Sequence, residues 1–343
     1  MEEVLRQAID TSAVTAWLEA NAGPVTPPLR FSRITGGNSN LTFVVTDAEG
    51  RQLVLRRPPL GRVLSSAHDM AREWRIVSAL AGRAVPVPPV RGLCEDPAVT
   101  GAPFYVMDLV EGEVLTTPKQ VEANLDRGGR RRVAEQLVDA LVDLHELDLA
   151  EVGLEDLGRH EGYLERQLWR WARQLREQPS ERTDRLLAVH DELEARRPAQ
   201  GPARIVHGDY RLGNCLVAPD GTITAVLDWE LCTLGDPLAD LGYLVLDWDS
   251  ADDPDPVSAT SPMRAAGMPH RAFAAARYAE RSGRTIEVLD VYVAFAAWRR
   301  ACILEGVHAR QRAGAMGAVP EDVERFVPRL LRYAEEAERR LEG

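Results

Sequence analysis

The side-chain periodicity of this chain changes character near residue 113, and that change limits the folds open to it. Before it, β-branched and apolar runs alternate with turn-forming clusters. The stretch FSRITGGNSNLTFVVTDAEGRQLVLRRPP reads as strand, glycine-rich turn, strand, turn and strand. A helix follows in SSAHDMAREWRIVSALAG, where Ala67, Met70, Trp74, Val77 and Ala81 recur at spacings of three and four. Ser66 and Asp69 form its start signal and Gly82 its stop. VPVPPVRGLCED is extended, and APFYVMDLVEGEVL is a strand leading into a turn. After residue 113 long helical patterns dominate, at about 130–148, 160–177, 181–195, 236–248, 267–281, 286–313 and 321–341. Strand signals there are confined to the flanks of one polar motif. A small β-rich part followed by a larger helical part is an α+β, two-lobed plan. The expected division is a helix and Pro-rich linker over 1–30, a lobe of sheet plus one helix over 31–107, a hinge over 108–112 and a helical lobe over 113–343.

Composition narrows the partners. The formal net charge of −12 argues against a nucleic-acid backbone and against an anionic membrane surface, both of which need clustered cations. Of the basic residues only Lys119 is a lysine. Cys94, Cys215, Cys232 and Cys302 form no CxxC pair, sit among apolar neighbours and read as small core residues. The N-terminal MEEVLRQAID lacks the apolar core of a signal peptide, and no run reaches membrane-spanning length, so the expected location is the cytoplasm. The acidic stretch DWDSADDPDPVSATSP is the segment expected to be disordered.

The polar motif is IVHGDYRLGNCLV, residues 205–217. Asn214 stands just before one apolar run and Asp228 just after the next, with the turn signal APDG between them. In an antiparallel hairpin, residues equidistant from the turn lie opposite one another, so Asn214 and Asp228 are expected side by side, with Asp209 in the loop entering the same end. Hard divalent cations take oxygen ligands, and Mg²⁺ commonly takes one or two carboxylates plus substrate phosphates. One reading therefore has Asn214 and Asp228 holding metal while Asp209 accepts or orients an acceptor hydroxyl. On the hairpin alone, a polar turn whose side chains merely bond its backbone remains equally open.

Upstream residues bear on that choice. Gly36 and Gly37 permit backbone N–H groups to approach phosphates closely, although Gly-Gly-Asn also suits a simple hairpin turn. Arg56 ends the strand QLVLR. Glu73, three residues from Met70 and four from Val77, falls on the buried face of its helix, where an unpaired carboxylate is costly. Pairing Arg56 with Glu73 removes that cost, as it would in an ordinary ion pair. The order along the chain is glycine loop, strand cation, helix glutamate, Asp-x₄-Asn, then Asp after a hairpin.

With these residues in place, the chain resembles the aminoglycoside phosphotransferase-like branch of the protein-kinase-like fold. HGDYRLGN matches that family's H-G-D-x-x-x-x-N catalytic loop, and VLDWELCTLGDPLADLGYLV matches its I-D-W-E…G-D-P-x-x-D-L segment. LVLRRPPLG, AHDMAREWRIVSAL, GYLERQLWRW and ACILEGVHAR are similar to the subgroup found fused, in some proteins, to acyl-CoA dehydrogenase modules. The resemblance covers roughly residues 30–315. It implies a bilobal kinase-like fold and ATP- and Mg²⁺-dependent transfer of the γ-phosphoryl group to a small-molecule hydroxyl, with GTP left open as donor. It implies Asp209 as catalytic base and Asn214 and Asp228 as metal ligands. Gly36, Gly37 and Asn38 would form the nucleotide loop, with Arg56 and Glu73 as the strand–helix pair. Residues 106–112, including Asp108 and Val110, would be the hinge whose backbone holds the adenine. Asp236, Asp240, His145 and His207 are expected to be structural, His207 by holding the catalytic loop. The wider family has Lys where this chain has Arg56.

The acceptor stays open between a hydroxy-acid or hydroxyacyl compound and an aminoglycoside-like compound. The acids Asp247, Asp249, Asp252, Asp253 and Asp255 would suit a cationic acceptor or be a solvated loop. Arg299, Arg300 and Arg310 would suit an anionic one or be a surface stripe. Trp169 and Trp171 read as packing residues. The lack of further His-bearing motifs after Asn214 argues against a metallophosphoesterase. A nucleotide-binding pseudokinase that acts as a regulatory or partner-binding module is the alternative function. The sequence does not give the oligomeric state.

Overall fold

The computed structural model describes residues 7–34, 40–60, 69–312 and 323–342. The chain forms two compact units: Met1–Gly112 with Thr224–Leu231, and Glu113–Ile223 with Cys232–Gly343.

In the first unit, α1 (Thr11–Asn21) starts at Asp10, whose carboxylate accepts from Ser12 N and Ala13 N. Its buried residues Val14 and Leu18 pack into the sheet core with Phe43, Leu53, Leu55, Phe104 and Val106. The sheet comprises β1 (Arg30–Ile34), β2 (Leu41–Thr46), β3 (Gln52–Arg57), β4 (Val90–Cys94) and β5 (Phe104–Asp108), in the order β1-β2-β3-β5-β4. All its pairings are antiparallel. Strict alternation in LTFVVT puts Leu41, Phe43 and Val45 on the buried face, and the register sets Phe43 opposite Leu55 and Val45 opposite Leu53. The helix α2 (Met70–Leu80) is capped by Asp69, which accepts from Arg72 N. Its buried face is Met70, Glu73, Ile76, Val77 and Leu80. The expected face included Trp74 and Ala81, but Trp74 is half-buried and Ala81 exposed. Ser66 and Ala67 lie outside the described residues.

The second unit is helical. It holds β6 (Glu113–Val114), α3 (Pro118–Asn124), α4 (Arg127–Glu146), α5 (Tyr163–Glu177), α6 (Thr183–Ala195), β7 (Arg204–Val206), β8 (Cys215–Val217), the start of β9 (Ile223–Val226), β10 (Thr233–Gly235), α7 (Leu238–Asp247), α8 (Arg271–Ser282), α9 (Leu289–Arg312) and α10 (Val327–Glu342). The seven expected helices are present with ends shifted by a few residues. The strands β6 and β10 escape a periodicity reading because two or three residues cannot show alternation. They pair with β8 and β7 respectively. The expected turn is present: Ala218 N donates to Thr222 O at 2.8 Å and Gly221 N to Ala218 O at 2.9 Å. Gly221 is left-handed, and a Cβ there would lie 2.2 Å from Gly129 O on α4.

The centre of this unit is α9, buried on all sides from Tyr292 to Cys302. The helix α7 approaches it backbone to backbone at Gly242, where a Cβ would stand 2.6 Å from the Tyr292 carbonyl carbon.

The acidic stretch after α7 is ordered rather than disordered. Asp249 is fully buried and accepts from Val257 N at 3.2 Å, Ser258 N at 2.6 Å and Arg271 Nη2 at 3.2 Å. Asp247 is buried against Arg300, and Asp253 is paired with Arg271. All four cysteines are buried free thiols. Among the described residues no helix is long and apolar enough to cross a membrane.

Candidate active site

The H-G-D loop leaves β7 and is fixed from below. Asp240, in the first turn of α7, is buried and accepts from His207 N at 2.6 Å and Gly208 N at 2.8 Å through its two oxygens. Gly208 has φ 85, a left-handed turn that suits glycine. Asp209 N donates to His207 Nδ1 at 3.2 Å, so that ring nitrogen is the unprotonated acceptor. The reading of His207 as the residue that holds the loop agrees with this bond. Behind Asp240, His145 lies 3.4 Å from its Oδ2 and 2.7 Å from the Tyr278 hydroxyl. Asp236 accepts from Leu238 N at the start of α7 and from the Tyr292 hydroxyl on α9.

Asn214 closes a short 3₁₀ turn, Leu212–Asn214, just before β8. Its Nδ2 donates to the Asp209 carbonyl at 2.8 Å and to Asp209 Oδ2 at 2.9 Å. Asp209 Oδ1 faces Arg211 Nε at 3.5 Å. Burial pushes the Asp209 carboxyl up, but Arg211, Arg300, the Tyr243 hydroxyl and Asn214 outweigh it and hold it below the ordinary aspartate value. Asp209 is therefore a carboxylate at neutral pH, with one oxygen held and one turned to a cation.

The second constellation belongs to the first unit. Register in β3 places Arg56 opposite Thr42 on one side and Tyr105 on the other. Its Nε donates to Glu73 Oε2 at 2.9 Å and its Nη2 to Asp228 Oδ1 at 2.9 Å. Glu73 is 3 % exposed and also accepts from the Tyr105 hydroxyl at 3.2 Å and from Asn40 Nδ2 at 3.1 Å. The expected Arg56–Glu73 pair is thus present, and Asp228 joins it. Burial pushes Glu73 up against the pull of Arg56. Burial also works against the Arg56 charge, but Glu73, Tyr105, Asp228 and Glu230 overcome it and raise the guanidinium above its ordinary value. Asp228 has φ 67, the one positive value at a non-glycine among the described residues. Such strain is sparse in proteins and concentrates at functional positions.

Gly36, Gly37 and Asn38 lie outside the described residues. Asp108 ends β5, with Arg91 Nε donating to its Oδ1 at 2.6 Å, and Val110 lies half-buried in the irregular stretch that follows. Asn214 belongs to one unit and Asp228 to the other. Arg299 and Arg300 depart from the surface-stripe reading: they are 7 % and 9 % exposed. Sequence reasoning missed Asn40, Tyr105, Glu230 and Tyr243. Glu230 carried a signal, because it stands two residues after Asp228, and it accepts from Asn40 at 3.2 Å and lies 3.8 Å from Arg56. Among the described residues no group of three or more His, Cys, Asp or Glu side chains is arranged to hold a metal.

Residues 30–278 match the family model described as "Phosphotransferase enzyme family". Acyl-CoA dehydrogenase family member 10 of Mus musculus is 33% identical over 312 residues, which is 90% of this chain but only 29% of that protein's length. A Ralstonia eutropha protein assigned to the aminoglycoside phosphotransferases superposes with a TM-score of 0.79 at 31% identity, covering 96% of this chain and 98% of that one. The GDP complex of aminoglycoside 2'-phosphotransferase-IIIa, at 14% identity, shares the fold with a TM-score of 0.64, covering 96% of this chain and 99% of that one. The chain has a kinase-like fold and belongs to the phosphotransferase enzyme family.

Proposed function

We propose that the chain transfers the γ-phosphoryl group of ATP to the hydroxyl of a small molecule, with Asp209 as the catalytic base. The observation that carries this reading is the Asp209 carboxylate itself. It is ionised, pinned through Oδ2 by Asn214 and carried on a loop whose backbone is tied to Asp240. A base held in this way can take or orient the acceptor proton at Oδ1 as the new O–P bond forms and ADP leaves.

Mg²⁺ is the assigned metal, and Asn214 and Asp228 are its assigned ligands. Asn214 commits its amide nitrogen to Asp209, which leaves its carbonyl oxygen as a hard donor. Asp228, in the other unit, has a second carboxylate oxygen besides the one on Arg56. Mg²⁺ takes few protein oxygens and draws most of its remaining ligands from phosphates and water. When bound, the ion would neutralise charge building on the transferring group. Arg56 and the hinge backbone around Asp108 and Val110 are assigned to the nucleotide, and GTP remains an alternative donor.

A hydroxy-acid or hydroxyacyl acceptor is favoured over a cationic aminoglycoside. Asp247, Asp249 and Asp253, which a polycation would need, are already paired with Arg300 and Arg271. The pseudokinase reading is kept because of one contact: Arg56 Nη2 occupies Asp228 Oδ1.

The test is ADP release with ATP and Mg²⁺ across hydroxy-acids, hydroxyacyl-CoA thioesters and aminoglycosides. Wild type is expected to turn over with one of the first two classes, and Asp209→Ala to be inactive while still binding nucleotide. Nucleotide binding with neither hydrolysis nor transfer would establish the pseudokinase instead.

A further inference from the structure

Three carboxylates of the first unit converge on one guanidinium, and they reach it unequally. Arg56 Nε donates to Glu73 Oε2 and its Nη2 to Asp228 Oδ1, both at 2.9 Å. Glu230 Oε2 stands 3.8 Å from that same Nη2, beyond hydrogen-bond reach. Asp228 and Glu230 lie two residues apart on one segment, so they are rivals for one donor. Asn40, 7 % exposed just before β2, donates from Nδ2 to Glu230 Oε2 at 3.2 Å and to Glu73 Oε1 at 3.1 Å. The Glu230 oxygen that Asn40 holds is the one that stands off Arg56.

We propose that Asn40 is a positioning residue: it keeps Glu230 off Arg56 and so reserves that guanidinium for Asp228. This rests on the reading of Asp228 as a residue of the nucleotide site. An amide nitrogen carries two N–H bonds and no charge. It can therefore serve two carboxylates at once and space them apart without neutralising either. Aspartate at this position would add a fourth carboxylate to the group, and a cation would draw the acids away from Arg56. An apolar residue would fill the space but release Glu230 Oε2. A shift of about 1 Å would then complete a charge-assisted bond of ordinary length to Arg56 Nη2. Asp228 would have to share its donor, and its carboxylate would lose a fixed direction. A residue that merely stapled β2 to α2 would need only the bond to Glu73, and its removal would not depend on the charge at position 230.

The experiment is a double-mutant cycle on the full chain: wild type, Asn40→Leu, Glu230→Gln and the double variant. Calorimetry gives the Kd of AMP-PNP with Mg²⁺ for each, and melting temperatures are recorded beside it. Asn40→Leu keeps the bulk and removes both N–H donors. It is expected to weaken binding about tenfold, near the low end of what one hydrogen bond to a charged group is worth. In the Glu230→Gln background the same change should alter Kd by less than about twofold, because a neutral amide no longer contends for the guanidinium. An equal loss in both backgrounds makes Asn40 a plain structural residue and overturns the proposal, as does an unchanged Kd in Asn40→Leu. If Asn40→Leu does not fold, Asn40→Ser, which keeps a single donor, carries the same comparison. A wild type that binds no nucleotide removes the reading of Asp228 instead, and this proposal with it.

Discussion

Arg56 serves two carboxylates with one guanidinium, and no shorter or rounder cation would do so. Its Nε reaches Glu73 and its Nη2 reaches Asp228, both at 2.9 Å. An ammonium is a point charge without that fork. Arg56→Lys is expected to keep the Glu73 pair and release Asp228, seen as a higher KM for ATP with the fold intact. Arg56→Met strands the buried Glu73, and removing one partner of a buried pair costs about 3–5 kcal/mol. Urea unfolding should show that loss, and adding Glu73→Gln should recover part of it. A single variant as stable as wild type would mean that Glu73 is protonated in the native protein. His145 gives a separate prediction. It is fully buried, and burial depresses its pKa below 6.5, aided by Arg284 and opposed by Asp240 and Asp236. The unfolded chain then binds this proton first as pH falls. The stability due to a neutral His145 is complete above 6.5 and declines as pH drops from there through the folded value. Unfolding free energies measured across that window should fall toward acid, and His145→Gln should flatten the slope.

At the scale of elements, Gly242 decides how α7 meets α9. Its absent Cβ would lie 2.6–2.8 Å from backbone and Cβ atoms of Tyr292, which cannot rotate away. Gly242→Ala must therefore push the helices apart, at about 1–3 kcal/mol by the usual cost of overpacking. The displacement should also reach turnover, because Asp240, which holds the backbone of the loop that carries Asp209, rides on the same helix. A variant with unchanged melting temperature and kcat would show that α7 tolerates the shift. Legibility at this scale followed length. The seven long helices of the second unit were readable because each repeats its pattern over ten or more residues. The strands β6 and β10 were not, since two or three residues carry no period. Glu73 was placed on the buried face of α2 by spacing alone, although Trp74 was assigned to that face wrongly. Charge misled most. The acids after α7 and the arginines of α9 look solvated in one dimension, yet Asp247 and Arg300 hide each other in three.

For the whole molecule, the candidate site motifs were legible as an order along the chain, while the residues around them were not. Asp209, Asn214, Arg56 and Glu73 announce themselves by spacing and by the cost of burying charge. Tyr105, Asn40 and Tyr243 gain meaning only from elements that fold onto them, and no local pattern marks them. The same non-locality shapes the first unit. It is discontinuous: residues up to Gly112 are completed by Thr224–Leu231 from far along the sequence. That insert supplies Val226 N to the Pro86 carbonyl at 2.8 Å, Thr224 Oγ1 to the Glu111 carbonyl at 2.7 Å, Asp228 to Arg56 and Glu230 to Asn40. A fragment ending at Gly112 keeps the sheet but loses these bonds and leaves Arg56 and Glu73 without their third partner. Such a fragment is expected to melt broadly, while the full chain melts sharply when followed by circular dichroism. Adding a peptide spanning residues 222–232 should sharpen the transition of the fragment. A fragment that already unfolds in one steep, peptide-independent step would show that the sheet and its helices are self-sufficient and that the insert matters for chemistry alone.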